Sequence, residues 1–248
     1  MTQTEVSVII PVHNGAKTVQ MAVDSVLRQK IPVQIIVIDD ASTDALEEAL
    51  LRYRELPFFT LLKNEKNMGV AASRMRGVNA AQTEYVAFLD ADDWWRDDKL
   101  SKQLAVMKAQ KAPLSSTGRA LVRADGVPTG RVISLPGRVD LKTILRSNCL
   151  NCSGVMVRRE IMLEFPMEHD DSHEDYISWI KIISKYGFAA GIDEPLLMYR
   201  LSEKSKSGNK LKSAVMNFKA YRYCGFNLLQ SLGYSVSYII NGIKKYYL

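Results

Sequence analysis

The sequence predicts an α/β protein built on a doubly wound, mostly parallel sheet, and two observations carry this prediction. Residues 6–12 and 33–38 are nearly uninterrupted apolar runs, as expected of strands that are buried on both faces of a parallel sheet. Between them, apolar residues recur at helical spacing from Val19 to Leu27, so that strand, helix and strand follow one another. The first strand follows Met-Thr-Gln-Thr-Glu without a secretory signal pattern, and we expect a cytoplasmic protein.

The alternation continues to residue 89 and predicts four parallel strands joined by right-handed helical crossovers. The remaining elements of this half are a helix over 44–55, a strand over 59–62, a helix over 69–81 and a strand over 85–89. Ligands of such sheets bind at the carboxyl ends of the strands. Three polar patches therefore meet at one rim: residues 11–15, 39–44 and 90–93.

The second half of the chain has a looser pattern. Residues 113–165 contain short strands between Gly and Pro turns and end in a strand over 153–157. A helix over about 173–186 follows, and then strands near 188–192 and 196–201. After Ser202 a Lys, Ser and Gly stretch predicts a linker, and the segment behind it has helical periodicity.

An acidic cluster closes the fourth strand, where Asp90, Asp92 and Asp93 follow Leu89 with no basic residue among them. Such crowding of like charges is unfavourable unless a positive charge is present. A divalent cation that carries phosphate oxygens would supply it, because Mg²⁺ prefers one or two carboxylates plus substrate phosphates. The alternative is a solvated turn with capping aspartates.

Five segments together resemble the family 2 glycosyltransferases with the GT-A fold: residues 7–14, 36–44, 67–74, 85–95 and 174–179. Within that family, the short chain with Tyr199-Arg-Leu-Ser resembles enzymes of bacterial cell-surface polysaccharide and teichuronic acid synthesis. The resemblance implies an inverting hexosyltransferase or N-acetylhexosaminyltransferase that uses a UDP-sugar, Mn²⁺ or Mg²⁺, and a lipid-linked or polysaccharide acceptor. It divides the chain into a GT-A domain (1–202, with a nucleotide-binding half, 1–112, and an acceptor-binding half, 113–202) and a basic amphipathic helical tail (203–248).

The resemblance also assigns residues to the nucleotide-sugar. His13 takes the position of an aromatic ring that stacks on uracil, although it could instead be a turn histidine that caps the next helix. Asp40 accepts from the uracil N3–H, as an acceptor-only side chain can, while Asp39 is expected to be structural. Arg74 lies near the nucleotide, with a plain surface arginine as the alternative. The complete set implied for the nucleotide-sugar is Pro11, His13, Asn14, Asp40, Arg74, Asp90 and Asp92.

In the acidic cluster the resemblance implies that Asp90 holds the ribose hydroxyls and Asp92 ligates the metal, while Asp93 supports them or caps a helix. Asp175 is the expected general base, and Glu174 orients the acceptor or the base. The stretch from Ser172 to Asp175 also fits a capping box, a competing structural role. We expect the helix dipole to keep Asp175 anionic and lower its basicity. One departure from the family is that no His follows Tyr199-Arg200.

The positive charge of the protein is concentrated in the tail. From Arg200 to the end, nine basic residues face Glu203 alone, whereas residues 1–199 carry a net charge of −2. This distribution favours an anionic surface as partner and argues against nucleic acid binding. An apolar stripe flanked by tyrosines predicts a helix lying on the inner face of the plasma membrane, or one that packs on the enzyme's own core or on a second subunit in a homodimer. The stripe is Leu229, Leu232, Val236, Ile239, Ile240 and Ile243, and the tyrosines are Tyr221, Tyr223, Tyr234, Tyr238, Tyr246 and Tyr247.

Other functions fit the sequence less well. A sugar nucleotidyltransferase needs a Gly-rich basic loop after the first strand, and residues 11–15 lack one. A dinucleotide oxidoreductase needs G-x-G-x-x-G at the same place. A non-catalytic module that binds a nucleotide or recruits partners to membranes remains open, and it would need Asp40 and Asp92 but not Asp175.

Overall fold

The computed structural model describes residues 4–201 and 210–247, with the side chains of residues 4–201 and 213–241. Its strands are β1 (Val6–Val12), β2 (Val33–Asp39), β3 (Phe59–Lys63), β4 (Tyr85–Phe88), β5 (Trp94–Trp95), β6 (Leu114–Val122), β7 (Pro128–Ile133), β8 (Arg138–Asp140), β9 (Met156–Arg158) and β10 (Phe188–Arg200). Its α-helices are α1 (Val19–Leu27), α2 (Leu46–Leu50), α3 (Val70–Ala80), α4 (Lys99–Gln110), α5 (Leu141–Arg146), α6 (Arg159–Glu164), α7 (Glu174–Tyr186), α8 (Lys210–Tyr223) and α9 (Leu228–Tyr247). The predicted linker after Ser202 and the side chains of residues 243–247 lie outside this description.

All the strands belong to one sheet, in which β3, β2, β1, β4, β9, β6, β10 and β5 are neighbours in that order. The first four in this order are parallel, as the sequence predicts. Beyond β4 the sheet is mixed, because β9 runs antiparallel to both β4 and β6 while β6 and β10 are parallel. Strands β7 and β8 pair with β6 and β10 outside this path.

Both faces of the central sheet are covered, and β1 shows why. Its residues are all buried, and alternate side chains enter two different cores because successive residues of a strand point to opposite faces. Ile9 joins the core that contains Phe88 and Trp179, whereas Val8 and Ile10 join the core that contains Val23. The apolar runs of the sequence therefore correspond to strands enclosed on both sides.

Several elements differ from the sequence prediction: the strand expected over 153–157 is a 3₁₀ turn at Cys152–Gly154 followed by β9, and residues 113–165 also contain the helices α5 and α6. A helix after Asp93 was expected only as one that Asp93 would cap; it is α4, whose N-cap residue is Asp98, and its buried face includes Lys99 and Gln103, which weaken the apolar pattern. The predicted helix over 44–55 is only the short α2 followed by a 3₁₀ turn at Leu51–Tyr53. The two strands expected near 188–192 and 196–201 form the single strand β10, whose register shifts at Pro195 account for the interrupted pattern.

The C-terminal helices pack on the enzyme. Tyr221 of α8 is fully buried, and its hydroxyl donates to the carbonyl of Leu145 (2.9 Å). The Tyr221 ring contacts Tyr234 (ring centroids 5.5 Å apart), and Tyr238 contacts Tyr176 (6.5 Å). Tyr221 therefore belongs to the core of the enzyme, in line with the alternative that the tail packs there, while Tyr234 and Tyr238 are half-buried against it.

A stripe of exposed apolar side chains remains on α9. Leu229 is 80% exposed, and Leu232, Val236, Ile239 and Ile240 are between 46% and 57% exposed. These five residues lie on one side of the helix, as their spacing predicts. Among the described helices, none has the length and apolar character needed to span a bilayer. The tail is therefore anchored to the enzyme through α8 while α9 presents an apolar face.

Candidate active site

The carboxyl ends of β1, β2 and β4 bring the three predicted patches to one rim. The backbone N–H of Asp40, just after β2, donates to the carbonyl of Val12 at the end of β1 (2.8 Å). On the other side, the N–H of Leu89 donates to the carbonyl of Ile9 (3.0 Å), which carries the chain toward Asp90. Parallel pairing thus aligns the ends of the strands, as expected for a site at this edge.

The loop after Pro11 is held by polar contacts to the loop after β2. Asn14 has a left-handed backbone (φ 55°), and its side-chain oxygen accepts from the N–H of Thr43 (2.8 Å). The His13 ring is hydrogen-bonded through Nδ1 to the carbonyl of Asp40 (2.8 Å). Helix α1 begins without a side-chain cap, so His13 is not the capping residue of that helix. Its ring is instead exposed at the rim.

The Asp40 carboxylate is buried and organises the turn that opens α3. Its Oδ1 accepts from the N–H of Met68 (2.8 Å) and from the Asn64 amide (2.6 Å), and its Oδ2 accepts from the N–H of Gly69 (3.0 Å). A carboxylate offers about four acceptor positions, and these three hydrogen bonds leave about one of them for a ligand. Asp39 is structural as expected, since its Oδ1 accepts from the N–H of Ser42 (2.8 Å).

Arg74 is buried at the centre of the site, so the alternative of a plain surface arginine is wrong. Its Nη2 donates to Asp90 (2.6 Å) and its Nη1 donates to Glu174 (2.8 Å). The Arg74 side chain is 5% exposed and the Glu174 side chain 7%. One guanidinium therefore joins the acidic cluster after β4 to the first turn of α7.

The three aspartates of the acidic cluster have different surroundings. The Asp90 side chain is 35% exposed and pairs with Arg74. Burial, and then the charge of Asp90, raise the pKa of Asp92. Asp93 points inward, where its Oδ1 accepts from the N–H of Arg200 (2.8 Å), and burial raises its pKa well above the ordinary value. Asp93 thus ties the cluster to the end of β10, and the cluster is not a solvated turn.

The donor set at this position fits a hard divalent cation. Asp90 and Asp92 offer carboxylate oxygens, and burial, with the charge of Asp90 as the smaller cause, raises the pKa of Asp92, so a cation here would stabilise its anionic form. Within residues 4–201 and 213–241, no group of three or more His, Cys, Asp or Glu side chains forms a complete metal cage. A cation held by one or two carboxylates and completed by phosphate oxygens matches this arrangement.

Glu174 and Asp175 occupy the first turn of α7, close to the acidic cluster. The Oδ1 of Asp175 accepts from the N–H of Tyr176 (2.7 Å). Burial, and then the neighbouring charge of Glu174, raise the pKa of Asp175 to about 7. The expectation that the helix dipole lowers the basicity of this carboxylate was wrong, since burial has the larger effect. Such a pKa suits a general base near neutral pH.

The capping box that competed with a catalytic role does not form. The hydroxyl of Ser172 donates to the carbonyl of Met216 in α8 (2.7 Å), and α7 begins without a side-chain cap. The Asp175 carboxylate therefore has no partner in a reciprocal cap. This frees it for the role that the family resemblance implies.

Sequence reasoning missed two residues that shape the site. Asp170 accepts from the N–H of Ala71 at the start of α3 (3.2 Å). Ser153 accepts from the N–H of Asp90 (3.1 Å) through its hydroxyl, and its carbonyl accepts from the indole N–H of Trp95 (2.7 Å). Both contacts link residues distant in sequence, and neither residue has a characteristic spacing from its partner.

The doubly wound sheet with carboxylates at its rim defines an α/β enzyme of the GT-A type. Residues 7–162 match the family model described as glycosyl transferase family 2. The chain belongs to this family, and the sequence predictions of family, fold and enzyme class are confirmed.

Two relatives align over nearly the whole chain. TuaG of Bacillus subtilis, named as a teichuronic acid biosynthesis glycosyltransferase, is 34% identical over 243 residues, covering 97% of this chain and 96% of TuaG. WfaP of Escherichia coli, named as a UDP-Glc:alpha-D-GlcNAc-diphosphoundecaprenol beta-1,3-glucosyltransferase, is 29% identical over 242 residues, covering 97% of this chain and 95% of WfaP. The similarity to glycosyltransferases of polysaccharide synthesis therefore extends through the tail.

Solved structures confirm the fold. TarS of S. aureus in complex with UDP superimposes with a TM-score of 0.74 at 16% identity, covering 97% of this chain and 72% of TarS. The mannosyltransferase PcManGT of Pyrobaculum calidifontis, in complex with GDP-Man and Mn²⁺, gives a TM-score of 0.68 at 18% identity, covering 100% of this chain and 77% of PcManGT. At these identities the likeness establishes the GT-A fold.

Proposed function

We propose that this protein is a metal-dependent inverting glycosyltransferase that moves a hexose or N-acetylhexosamine from a UDP-sugar to a hydroxyl of a lipid-linked or growing surface glycan. The observation that carries the proposal is the Arg74 bridge, which joins Asp90 of the acidic cluster to Glu174 beside Asp175. A donor-binding carboxylate and a base with a pKa near 7 are thereby held in one network.

The rim supplies the proposed donor site within residues 1–112. His13 presents an exposed ring for the uracil, next to Pro11 and Asn14, and Asp40 offers its remaining acceptor position to the base edge. Asp90 would hold the ribose, and Arg74 keeps Asp90 in place. The complexes of TarS with UDP and with UDP-GlcNAc support a UDP-sugar as donor.

Asp92 is the proposed ligand of Mn²⁺ or Mg²⁺. Such a cation, bound to the diphosphate, would act as a Lewis acid and offset the charge that develops on departing UDP. The Mn²⁺ in the PcManGT complex supports this assignment. With no histidine after Tyr199-Arg200, the chain would rely on Asp92, the diphosphate and water to hold the ion.

The proposed reaction is a single displacement. Asp175 in its anionic form accepts the proton of the acceptor hydroxyl while the oxygen attacks the anomeric carbon and the bond to UDP breaks. Attack from the face opposite the leaving group inverts the anomeric configuration. Glu174, fixed by Arg74, keeps the first turn of α7 oriented toward the acceptor, which residues 113–202 would bind.

The tail is proposed to hold the enzyme on the anionic inner face of the plasma membrane, where a lipid-linked acceptor is available. The exposed stripe on α9 and the basic residues of the tail support this placement, as an apolar face with cationic flanks is typical of interfacial helices. WfaP is named for an acceptor linked to diphosphoundecaprenol, and this agrees with the proposed placement at the membrane. The alternative is that a second copy of the chain packs against this apolar stripe.

Asp175→Asn tests the central assignment, because the amide keeps the shape of the carboxylate but cannot accept the proton. We expect UDP release from a panel of UDP-sugars with Mn²⁺ to fall at least about 100-fold, while UDP affinity stays within about twofold, since general base catalysis contributes about 10²–10⁴. Asp97→Asn is the matched control, because Asp97 is exposed and pairs only with Arg28 among the contacts described. Equal loss of turnover and of UDP binding in Asp175→Asn would contradict the base assignment.

A further inference from the structure

Residues 169–173, which we name the latch segment, precede the catalytic pair, and four of these five residues contact α8. The His169 ring stacks on Tyr223 with ring centroids 3.8 Å apart and planes inclined by 4°. Asp171 accepts from Lys219 (2.7 Å) and from the Tyr223 hydroxyl (3.2 Å).

The other two contacts of the latch segment lie further inside. The fully buried Ser172 donates its hydroxyl to the Met216 carbonyl (2.7 Å). The His173 Nε2 is hydrogen-bonded to the hydroxyl of Ser213 (3.3 Å). The contacts therefore extend along α8 from Ser213 to Tyr223, which is most of that helix.

The remaining residue of the latch segment, Asp170, contacts the nucleotide-binding half. Its Oδ1 accepts from the N–H of Ala71, and a Cβ placed on Gly69 would lie 2.2 Å from its Oδ2. Gly69 also has a φ of +89°, a conformation that favours glycine. The latch segment is therefore fixed between α8 on one side and the start of α3 on the other.

Glu174 and Asp175 follow the latch segment directly, and α7 begins without a side-chain cap of its own. We propose that α8 positions the catalytic pair through the latch segment, with Ser172 and Tyr223 as positioning residues. The inference rests on the proposed function, since it concerns the same base. Displacing a reacting group by about 1 Å can cost about 100-fold in rate, so a small shift of the latch segment would suffice.

These contacts do not contribute equally. The pair of Asp171 and Lys219 is exposed on both sides (49% and 43%), and such pairs contribute little. The Ser172 hydrogen bond is buried, and the stacked rings of His169 and Tyr223 restrict the segment at its other end. We therefore place the positioning effect in Ser172 and Tyr223.

The test uses Ser172→Ala and Tyr223→Ala in the full-length protein, with UDP-glucose and UDP-GlcNAc as donors and Mn²⁺ present. We expect kcat for UDP release to fall at least about tenfold in each variant, while UDP affinity measured by calorimetry stays within about twofold, because among the contacts described neither Ser172 nor Tyr223 touches a residue of the proposed donor site. Tyr223→Phe should restore most of the kcat lost in Tyr223→Ala, since it keeps the ring that stacks on His169. Tyr186→Ala is the matched control: Tyr186 is exposed to almost the same extent (38% against 37%), but it lies at the far end of α7, where its hydroxyl donates to Glu164 of α6.

A kcat within twofold of wild type in folded Ser172→Ala overturns the inference, and so does a proportional loss of kcat and UDP affinity. If Tyr223→Ala fails to fold, Ser172→Ala alone decides the test, because the Ser172→Ala change removes only a single oxygen atom. A failure of the proposed function would give a different result, because Asp175→Asn would then remain active. If Asp175→Asn is inactive while both latch variants keep normal kcat, only the positioning role of α8 is wrong.

Discussion

Asp175 shows how the surroundings of one residue change its acidity. The carboxyl faces Glu174 from its own helix, Arg74 from α3, Asp90 from the loop after β4, and Cys152 from the 3₁₀ turn at Cys152–Gly154. Burial and Glu174 raise its pKa, while Arg74 opposes them. The balance leaves the carboxyl able to exchange a proton near neutral pH, which a fully hydrated aspartate could not do.

This balance predicts an acid limb in the pH dependence of kcat. The base must be anionic to accept a proton, so activity is retained above its pKa of about 7 and lost as the pH falls through that value. We expect kcat at saturating donor to fall by nearly tenfold per pH unit below about pH 6. Initial rates between pH 5 and pH 9 would measure the limb.

The control for the acid limb is UDP affinity with Mn²⁺ over the same pH range. Protonation of Asp92, whose pKa is also raised, would weaken that affinity and can be separated from the effect on kcat at saturating donor. A kcat that stays constant from pH 8 to pH 5 would be incompatible with Asp175 as the base.

At the scale of the element, β10 depends on a close approach of two backbones. A Cβ at Gly191 would lie 1.9 Å from the carbonyl oxygen of Pro136, and neither atom belongs to a flexible side chain. Gly191 also donates its N–H to the carbonyl of Gly137 (2.9 Å), so the two segments are tied at that point.

We therefore predict that Gly191→Ala destabilises the protein by about 2 kcal/mol or more, within or above the usual range for overpacking. Urea unfolding would measure the change. Gly137→Ala is the matched control, because a Cβ there meets nothing within 4 Å and the change should cost less than about 1 kcal/mol. Equal unfolding midpoints for the two variants would refute the steric explanation.

The elements that the sequence predicts well are those whose pattern is local. Strands β1 and β2 are apolar along their length, and the rule that ligands bind at the ends of parallel strands placed Asp40 and Asp90 on one rim. The bounds of helix α4 could not be predicted because Lys99 and Gln103 occupy its buried face. A buried lysine is rare enough that sequence patterns count it as exposed.

The latch segment could not be predicted for a different reason. Its partners on α8 lie about 40–50 residues further along the chain, and they include the polar Ser213 and a backbone carbonyl. No periodicity encodes such a contact. The stretch from Ser172 to Asp175 instead suggests a local cap, and only the tertiary structure shows that the serine is used elsewhere.

At the scale of the whole molecule, the tail has two parts with different partners. Helix α8 is part of the fold, since Met216, Ala220 and Tyr221 are buried. Helix α9 contacts α5 and α8 on one side and exposes its apolar stripe on the other. Deleting the whole tail would therefore damage the core, and membrane binding has to be tested by substitutions on the stripe alone.

We predict that Leu229→Ser, Val236→Ser and Ile240→Ser combined weaken binding to vesicles of anionic phospholipid at least about tenfold. Each large apolar side chain contributes about 1.5–3 kcal/mol when fully transferred from water, and partial transfer of three is sufficient. Sedimentation with the vesicles would measure binding, and UDP affinity should not change. The control is Leu51→Ser with Val132→Ser, two exposed apolar residues remote in sequence from the tail.

Sedimentation of the triple variant equal to that of wild type would refute membrane binding through α9. A wild-type dimer that the triple variant converts to a monomer, without any vesicle binding by wild type, would assign the stripe to a second copy of the chain.

The latch segment also has a consequence for the order in which the enzyme matures during synthesis. Its contacts join Ala71, residues 169–173 and Tyr223, so the segment is fixed on both sides only after α8 has left the ribosome. The parallel strands β1 to β4 can pair long before then, because N-terminal segments fold first during translation. A nascent chain can thus pair its first four strands well before the first turn of α7, with its proposed catalytic carboxylate, is held in place.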